Sequence, residues 1–251
     1  MIRRPPRSTL DRSSAASDVY KRQDKIYITA SGGPFFQKKI KNNIKPKQAL
    51  NHPKWNMGKK ISIDSATMMN KALELIEALW LFNIKLDKIQ ITIHPQSIVH
   101  SMVEFVDGSY KAHLGLPDMK VPIQYALTFP NRKDSSVGSL DFENLNLDFR
   151  KPDLERYPIL SLVEELINLG GNRVAVMSMA NDYVVKRFLD RKISFNEIFY
   201  LVQEVVNEFA SDDLPSLDNS IFMILSKAPL STMVPSPFLI AMSSRESRGK
   251  L

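Results

Sequence analysis

A polar stripe crosses the segment 66–82, whose other positions are mostly apolar. At about 100° per residue, Asn70, Lys71 and Glu74 fall on one side of a helix. Ser65 precedes this segment at a position typical of an N-cap. Ser65, Asn70 and Lys71 could together hold a phosphate dianion, because helix amides and the helix dipole favour an anion at an N-terminus. Glu74 lies one turn further along and could reach a metal ion that shares the same ligand.

A solvated polar face is the simpler interpretation of the same stripe, and periodicity alone favours it. Three features favour an anion site instead. The stripe lies in the first two turns, it adjoins Ser65, and the remaining faces of the helix are apolar enough to be buried. Both interpretations stay open on the residues alone.

The elements that must position these side chains form a mixture of strands, glycine turns and helices. Alternating apolar residues bounded by turn residues predict strands at 25–29, 60–63, 89–93, 98–106 and 109–116. Helices are predicted from about 66 to 82 and, after Pro117, to about 129. The pair Gly32-Gly33 follows the first strand and lets backbone amides approach a ligand closely. The pair Asp107-Gly108 predicts a two-residue type I′ hairpin turn.

A purely helical region follows a polar, irregular stretch. Helices are predicted at 157–169, 174–189 and 195–210, the last opened by a capping box at Ser194 and Glu197. The predicted organisation is a non-native, adapter-like tail (1–23), a catalytic domain (24–132), a linker (133–153), a helical C-terminal domain (154–219) and a divergent, disordered tail (220–251). The predicted fold class is α+β, a mixed or antiparallel sheet packed by helices and followed by a small C-terminal helical bundle.

The positive charge of the chain is predicted to have no bearing on its partners, because it lies at the two ends. The formal net charge is +7, of which residues 1–23 carry +4 and residues 220–251 carry +3, so the body is neutral. A nucleic-acid partner is excluded because the folded part offers no basic platform. A membrane span is excluded because no window offers the roughly 18 apolar residues that it needs. The absence of cysteine excludes a disulfide scaffold, a thiolate metal site and a cysteine nucleophile.

The histidines are predicted to serve structure rather than metal binding. His94 and His100 could be ligands six residues apart, but no carboxylate or cysteine stands at matching spacing, so hydrogen-bonding roles are favoured. His113 is predicted to lie at a surface or interface. Three apolar residues at helical spacing are predicted to lie in the core: Met68, Met69 and Trp80.

Four runs of the chain resemble the 1-deoxy-D-xylulose 5-phosphate reductoisomerase family. They are ITASGGPF (28–35), HPKWNMGKKISIDSATMMNKALELIEALWLF (52–82), IHPQSIVHSMVEFVDGSYKAHLGLPDMKVPIQYAL (93–127) and RYPILSL (156–162). The resemblance covers about 24–219. Residues 176–182 (VMSMAND) stand where the family has a V-L-N-A-A-N-E type run. The family's NADPH-binding domain, with its glycine-rich fingerprint, is expected before Asp24 and is not in this chain.

The resemblance implies a role for each of eight residues. Ser31, Ser65, Asn70 and Lys71 would hold the substrate phosphate and its neighbouring groups, and His52 would belong to the same substrate site. Trp55 and Met57 would lie on a flap that closes over the substrate, and Gly58 would contact NADPH. Glu74, the ninth residue, would be a substrate-site and catalytic residue as one of three carboxylate ligands to Mg²⁺, Mn²⁺ or Co²⁺. The other two ligands would come from a D-S-E run upstream of Lys25.

The resemblance also implies an activity, namely NADPH- and metal-dependent conversion of 1-deoxy-D-xylulose 5-phosphate to 2-C-methyl-D-erythritol 4-phosphate in non-mevalonate isoprenoid synthesis. The expected partners are a small sugar phosphate and a second copy of the chain, in the cytoplasm of a bacterium or in a plastid. The 251 residues alone are expected to be inactive, because two metal ligands and the nucleotide fingerprint are not among them. The alternative is a catalytically inactive fragment that binds sugar phosphates or dimerises.

Overall fold

The computed structural model describes residues 23–37, 43–54 and 57–212, which form a four-stranded sheet and seven helices. The strands are β1 (Gln23–Ala30), β2 (Ile89–Ile93), β3 (Val99–Phe105) and β4 (Tyr110–Leu114). The helices are α1 (Pro46–Ala49), α2 (Lys59–Thr67), α3 (Met69–Phe82), α4 (Lys120–Thr128), α5 (Ile159–Leu169), α6 (Arg173–Leu189) and α7 (Glu197–Phe209). Short 3-10 turns occupy Leu86–Lys88 and Phe142–Asn144.

The sheet is mixed, with the strand order β2-β1-β3-β4. β1 runs parallel to β2, with Ile28 opposite Ile91, and antiparallel to β3, with Ile28 opposite Ser101. β3 and β4 form an antiparallel hairpin. The predicted α+β class with a mixed sheet and C-terminal helices is confirmed. β1 is therefore an inner strand of the sheet, and the Gly32-Gly33 turn follows its carboxyl end.

The hairpin turn differs from the type I′ prediction. The Gly108 amide donates to the Phe105 carbonyl (2.9 Å), and the Phe105 amide donates to the Ser109 carbonyl (2.9 Å). Gly108 has φ +79°, whereas Asp107 is not among the residues with positive φ. A type I′ turn needs positive φ at both central residues, so the connection is a longer loop that ends in a left-handed glycine. Asp107 instead accepts from the Ser109 amide and hydroxyl (2.9 and 2.6 Å).

The segment from 59 to 82 corrects two further predictions. Residues 60–63, whose alternation predicts a strand, belong to α2, because tertiary burial of Ile63 and Ala66 overrides the local pattern. The single helix predicted from about 66 is two helices separated at Met68, which has φ +65°. Ser65 is therefore in the last turn of α2 and is not an N-cap.

One hydrophobic core joins the sheet, α2, α3 and the C-terminal helices. α3 packs on β1, β2 and α5, and α2 packs on α6. The core prediction is confirmed for Met68 and Met69, which are buried. It is wrong for Trp80, whose residue is 82% exposed, because the apolar face of α3 that contains Leu75 and Ala78 faces inward instead.

The three C-terminal helices lie close to their predicted positions. The Ser194 amide donates to Glu197 Oε2 (2.6 Å), which is one half of the predicted capping box. The Ser194 side chain, and then the Ser194 amide, hold the pKa of Glu197 below its ordinary value through hydrogen bonds to the carboxylate. No helix in the described ranges is long and apolar enough to cross a membrane. The predicted tails at 1–23 and 220–251 lie outside the described residues except for Gln23, and the domain boundaries stay a prediction.

Candidate functional site

A cavity of about 210 Å³ lies beyond the carboxyl end of β1, against the α2–α3 break. Seven of the nine site residues predicted from the sequence line it: Ser31, His52, Met57, Ser65, Asn70, Lys71 and Glu74. Gly58 is exposed at the start of α2, outside this lining. Trp55 lies outside the described residues. The polar stripe of α3 therefore faces a cavity that it shares with three other segments of the chain.

The Gly32-Gly33 turn brings β1 against the end of α2. Both glycines have positive φ, +81° and +66°. A Cβ atom on Gly33 would lie 2.6 Å from the Ser65 carbonyl oxygen, closer than real Cβ atoms come to other atoms. Glycine is therefore required at position 33 for two reasons: its positive φ and its close contact with the Ser65 carbonyl. This contact places Ser31 and Ser65 on the same cavity wall.

A hydrogen-bond chain fixes the orientation of His52. The Lys54 amide donates to His52 Nδ1 (3.2 Å), and His52 Nε2 lies 2.9 Å from Ser31 Oγ. Because Nδ1 accepts, the neutral ring holds its proton on Nε2 and donates it to Ser31 Oγ. The Gly33 amide also donates to Ser31 Oγ (3.2 Å). Burial lowers the pKa of His52 from its ordinary value, which favours this neutral ring.

The break at Met68 directs two helix ends into the cavity. Met68 is buried and left-handed, a conformation that is uncommon outside glycine and that recurs at functional sites. Ser65 lies in the last turn of α2, and Asn70 and Lys71 lie in the first turn of α3. The helix-dipole argument therefore applies to Asn70 and Lys71, whereas Ser65 contributes its side chain.

Lys71 and Glu74 form an ion pair on the cavity wall. Lys71 Nζ lies 2.6 Å from both Glu74 oxygens, and the two side chains are 13% and 38% exposed. Two further polar atoms of cavity-lining residues, Asn70 Oδ1 and Ser97 Oγ, are buried without a hydrogen-bond partner in the described part of the chain. Buried polar atoms are nearly always paired in native proteins, so unpaired ones beside a cavity indicate a polar ligand.

Sequence reasoning assigned no site role to four polar residues that line this cavity: Thr29, His94, Ser97 and His100. Ser97 was not predicted at all, and its φ of +55° comes from a turn that nothing but Pro95 announces. His100 was assigned a hydrogen-bonding role, and it also lines the cavity. Burial, and then the charge of His113, lower the pKa of His100. The exposed position predicted for His113 is confirmed.

His94 has the structural role that its sequence context predicts. The Ile98 amide donates to Nε2 (3.1 Å), so Nδ1 holds the ring proton and donates it to the Asp148 carbonyl (2.8 Å). The ring is fully buried and stacks on Phe149, with centroids 4.7 Å apart. His94 thereby ties the β2–β3 connection to the irregular segment before α5.

The described residues do not by themselves fit a divalent metal. Within 23–37, 43–54 and 57–212, no group of three or more His, Asp or Glu side chains could hold a metal ion. Glu74 offers one carboxylate, and Lys71 contacts both of its oxygens. Mg²⁺ needs several hard oxygen ligands to displace its waters.

A larger cavity of about 400 Å³ lies on the opposite side of the α2–α3 break. Its lining includes Thr67 and Met69 of the break region together with Phe199 and Tyr200 of α7. It contains none of the predicted site residues. The smaller cavity is the candidate site because it alone of these two collects the unpaired polar atoms and the Lys71–Glu74 pair.

Two family models match the chain. The model described as "1-deoxy-D-xylulose 5-phosphate reductoisomerase C-terminal domain" matches residues 10–82, and "DXP reductoisomerase C-terminal domain" matches residues 114–227. The 1-deoxy-D-xylulose 5-phosphate reductoisomerase of Clostridium novyi is 51% identical over 203 residues, which are 80% of this chain and 53% of that protein. The enzyme of the same name from Nitrosomonas europaea is 46% identical over 229 residues (90% and 54%).

The chain belongs to the 1-deoxy-D-xylulose 5-phosphate reductoisomerase family. Solved structures of the family share its fold. The Zymomonas mobilis reductoisomerase in complex with NADPH superposes with a TM-score of 0.74 at 44% identity, covering 83% of this chain and 55% of that one. A DOX-P reductoisomerase in complex with NADPH, fosmidomycin and magnesium gives a TM-score of 0.77 at 39% identity (94% and 59%). The chain therefore spans about half the length of the relatives that it matches.

Proposed function

We propose that this chain supplies the phosphate-binding and C-terminal part of a reductoisomerase that converts 1-deoxy-D-xylulose 5-phosphate to 2-C-methyl-D-erythritol 4-phosphate with NADPH. The observation that carries the proposal is the cavity at the α2–α3 break, where Lys71 is the cation, unpaired Ser97 Oγ can donate to a phosphate oxygen and unpaired Asn70 Oδ1 can accept from a substrate hydroxyl. High identity to reductoisomerases over most of the chain supports the substrate class.

The phosphate binds against Lys71, Ser65 and Ser31. Lys71 Nζ is mostly buried, so its attraction for a dianion is screened less than at an exposed site. Ser31 Oγ accepts from His52 and Gly33, and its own proton remains to be donated to a phosphate oxygen. The first turn of α3 adds the favourable end of the helix dipole. Phosphate competes with Glu74 for Lys71, so binding releases the Glu74 carboxylate toward the rest of the substrate site.

The cofactors of the family need donors beyond the described residues. A divalent cation in this family would polarise substrate oxygens, and NADPH would supply the hydride. Glu74 by itself does not make a site for Mg²⁺, Mn²⁺ or Co²⁺, and no step through a metal is assigned to it. The proposed contribution of Gly58 to NADPH binding and of Trp55 and Met57 to a closing flap rests on the resemblance alone. A second candidate function for the 251 residues by themselves, sugar-phosphate binding without turnover, is favoured by this incomplete donor set.

Homodimer formation is proposed for the surface made by α4 and β4. α4 has no buried residue, and Met119, Ile123 and Leu127, spaced four residues apart, are 54%, 52% and 82% exposed. β4 is an edge strand. A second copy can cover both features through a two-fold axis. We expect light scattering to report a dimer, and Ile123→Glu to convert it to a monomer. Tyr200→Glu, at an exposed position on α7, is the control and should leave the mass unchanged. A monomeric wild type would contradict the proposal.

The phosphate site is tested by titrating the 251-residue chain with inorganic phosphate. Lys71→Ala should raise the Kd about ten- to hundred-fold, because a charge-assisted hydrogen bond is lost. Lys186→Ala, which removes an exposed lysine on α6, is the matched control and should leave the Kd unchanged. Equal affinity of the Lys71→Ala and Lys186→Ala chains would refute the site.

The activity is tested in a chimera of the Clostridium novyi enzyme that carries this chain's residues over the matched 203 positions. We expect NADPH oxidation with 1-deoxy-D-xylulose 5-phosphate and Mn²⁺, abolished by Glu74→Gln. The 251 residues alone should show none. Full activity of the Glu74→Gln chimera at saturating metal would exclude Glu74 as a metal ligand, and turnover by the 251 residues would exclude the binding-only alternative.

A further inference from the structure

We propose that Tyr157 and Asn181, two buried residues of the C-terminal helical region, are positioning residues for the phosphate site. The inference rests on the phosphate site proposed above and extends it to residues that do not touch the cavity. Neither residue is among those that line it. Each instead binds a group one residue away from a serine of the site.

Tyr157 holds the glycine turn. Its hydroxyl donates to the Gly32 carbonyl (2.9 Å), and the residue is 2% exposed. The neighbouring Arg156 extends the attachment, since its guanidinium donates to the Phe35 and Phe36 carbonyls (3.0 and 2.6 Å). The Tyr157 bond fixes the backbone before Gly33 and the Arg156 bonds fix it after Gly33, while the position of Gly33 itself is set by contact with the Ser65 carbonyl. Ser31 Oγ, which accepts from the Gly33 amide, is therefore oriented from Tyr157.

Asn181 holds the end of α2 through Asp64. Its amide donates to Asp64 Oδ1 (2.9 Å), and the side chain of Asp64 is only 3% exposed. Lys60 Nζ lies 2.6 Å from Asp64 Oδ2 and 2.8 Å from Asp182 Oδ1. Both carboxylate oxygens of Asp64 are thus engaged, one by α6 directly and one through a lysine that also reaches α6. Asp64 immediately precedes Ser65, so this network fixes the turn of α2 that faces the cavity.

The two attachments converge on one contact. Tyr157 acts on the Gly32 side and Asn181 on the Ser65 side of the Gly33–Ser65 approach. A rigid pair of lining elements keeps phosphate ligands preorganised, whereas a loosened pair must be ordered at the cost of affinity. Truncating either attachment should therefore weaken phosphate binding beyond what its effect on folding stability explains.

The experiment compares two site variants with two matched controls in the 251-residue chain. Tyr157→Phe is matched by Tyr27→Phe, which removes a hydroxyl that donates to Glu104 (2.7 Å) on the sheet. Asn181→Leu is matched by Asn172→Leu, which removes a buried asparagine bound to Ser211 away from the cavity. For each chain the phosphate Kd is measured by calorimetry and the free energy of unfolding by urea titration.

We expect the phosphate Kd to rise about five-fold in Tyr157→Phe and in Asn181→Leu, a coupling at the lower end of the range for distant sites. The two controls should lose stability without a change in Kd.

Three results would overturn the positioning role, and they differ from one another. If wild type binds phosphate, Lys71→Ala weakens binding as expected and both site variants keep the wild-type Kd, positioning is wrong and the phosphate site stands. If the site variants and the controls lose affinity equally for equal loss of stability, the residues act on folding alone. If wild type shows no binding that depends on Lys71, the phosphate site itself is wrong, and the positioning role falls with it.

Discussion

The sheet side of the molecule and its C-terminal helices bury different kinds of atoms. Around the end of β1 and the α2–α3 break, five polar residues are buried: Ser62, Asp64, Ser65, His94 and Ser97. Within α5 to α7 and their connections, the buried residues are apolar except for Asn172 and Asn181, each of which donates a hydrogen bond. The cavity opens only into the first of these regions.

This difference indicates that the sheet side serves ligand binding and the helices serve folding stability. Burying polar groups costs free energy unless they are paired. Asn70 Oδ1 and Ser97 Oγ are unpaired and, unlike the unpaired Asn181 Oδ1 of the helical region, belong to residues that line a cavity, which suits the sheet side to a ligand rather than to stability. The helices supply the apolar burial that compensates for this cost. Their two polar attachments, at Tyr157 and Asn181, are directed toward the polar region. Substitutions should therefore divide into those that change stability and those that change affinity.

The largest expected effect is on stability, from Leu166→Ala in α5. Leu166 is 4% exposed in the shared core, far along α5 from Tyr157. Its truncation should lower the free energy of unfolding by about 2–5 kcal/mol, because a cavity replaces the side chain. The phosphate Kd of the folded protein should not change. A large rise in Kd, measured under conditions where the variant is fully folded, would break the division between the two regions.

A mixed effect is expected for Gly33→Ala. The substitution incurs the strain of a positive φ and also brings a Cβ to 2.6 Å from the Ser65 carbonyl. Gly108→Ala is the matched control, since its φ of +79° is similarly strained and nothing lies within 4 Å of the added Cβ. The control should lose roughly 1–2 kcal/mol of stability. Gly33→Ala should lose more than the control and, unlike it, should weaken phosphate binding; equal losses with unchanged affinity would show that the approach to Ser65 has no role in the site.

The part of the site that periodicity alone predicts lies on one helix, whereas four other residues were predicted from the family resemblance: Ser31, His52, Met57 and Ser65. A 3.6-residue period places Asn70, Lys71 and Glu74 together without knowledge of the rest of the fold, and the cavity confirms their common side. Ser97 was out of reach because it arrives from another segment through a turn with φ +55°. The positioning role inferred for Asn181 was equally hidden, since its hydrogen bond to Asp64 spans 117 residues.

The errors in the fold prediction share a physical cause. Residues 60–63 alternate like a strand, but tertiary burial of Ile63 and Ala66 on several sides of α2 overrides that local pattern. The left-handed break at Met68 has no glycine to announce it. Sheet strands and C-terminal helices, whose local pattern and tertiary environment agree, were predicted within a few residues of their ends.

The smallest expected effect is on the pH dependence of folding stability, through His52 on the sheet side of the molecule. Burial lowers the pKa of His52 below its ordinary value of 6.5. The folded protein then keeps the ring neutral while the unfolded chain takes up a proton, so the unfolded state binds more protons below about pH 6.5. The stability contributed by the neutral ring is complete above that pH and is lost as the pH falls toward the folded-state pKa. Protonation would also remove the acceptor that Nδ1 offers to the Lys54 amide.

Urea unfolding in a buffer without phosphate, from about pH 7.5 to 5.5, should therefore show a shallower loss of stability in His52→Gln than in wild type. Burial also lowers the pKa of His100, so part of the loss of stability at low pH should remain in His52→Gln. The double substitution of His52→Gln with His100→Gln should reduce that remaining loss further. Identical pH slopes in wild type and His52→Gln would mean that the ring is already free to protonate in the folded state, and the buried polar character assigned to this side of the molecule would not extend to His52.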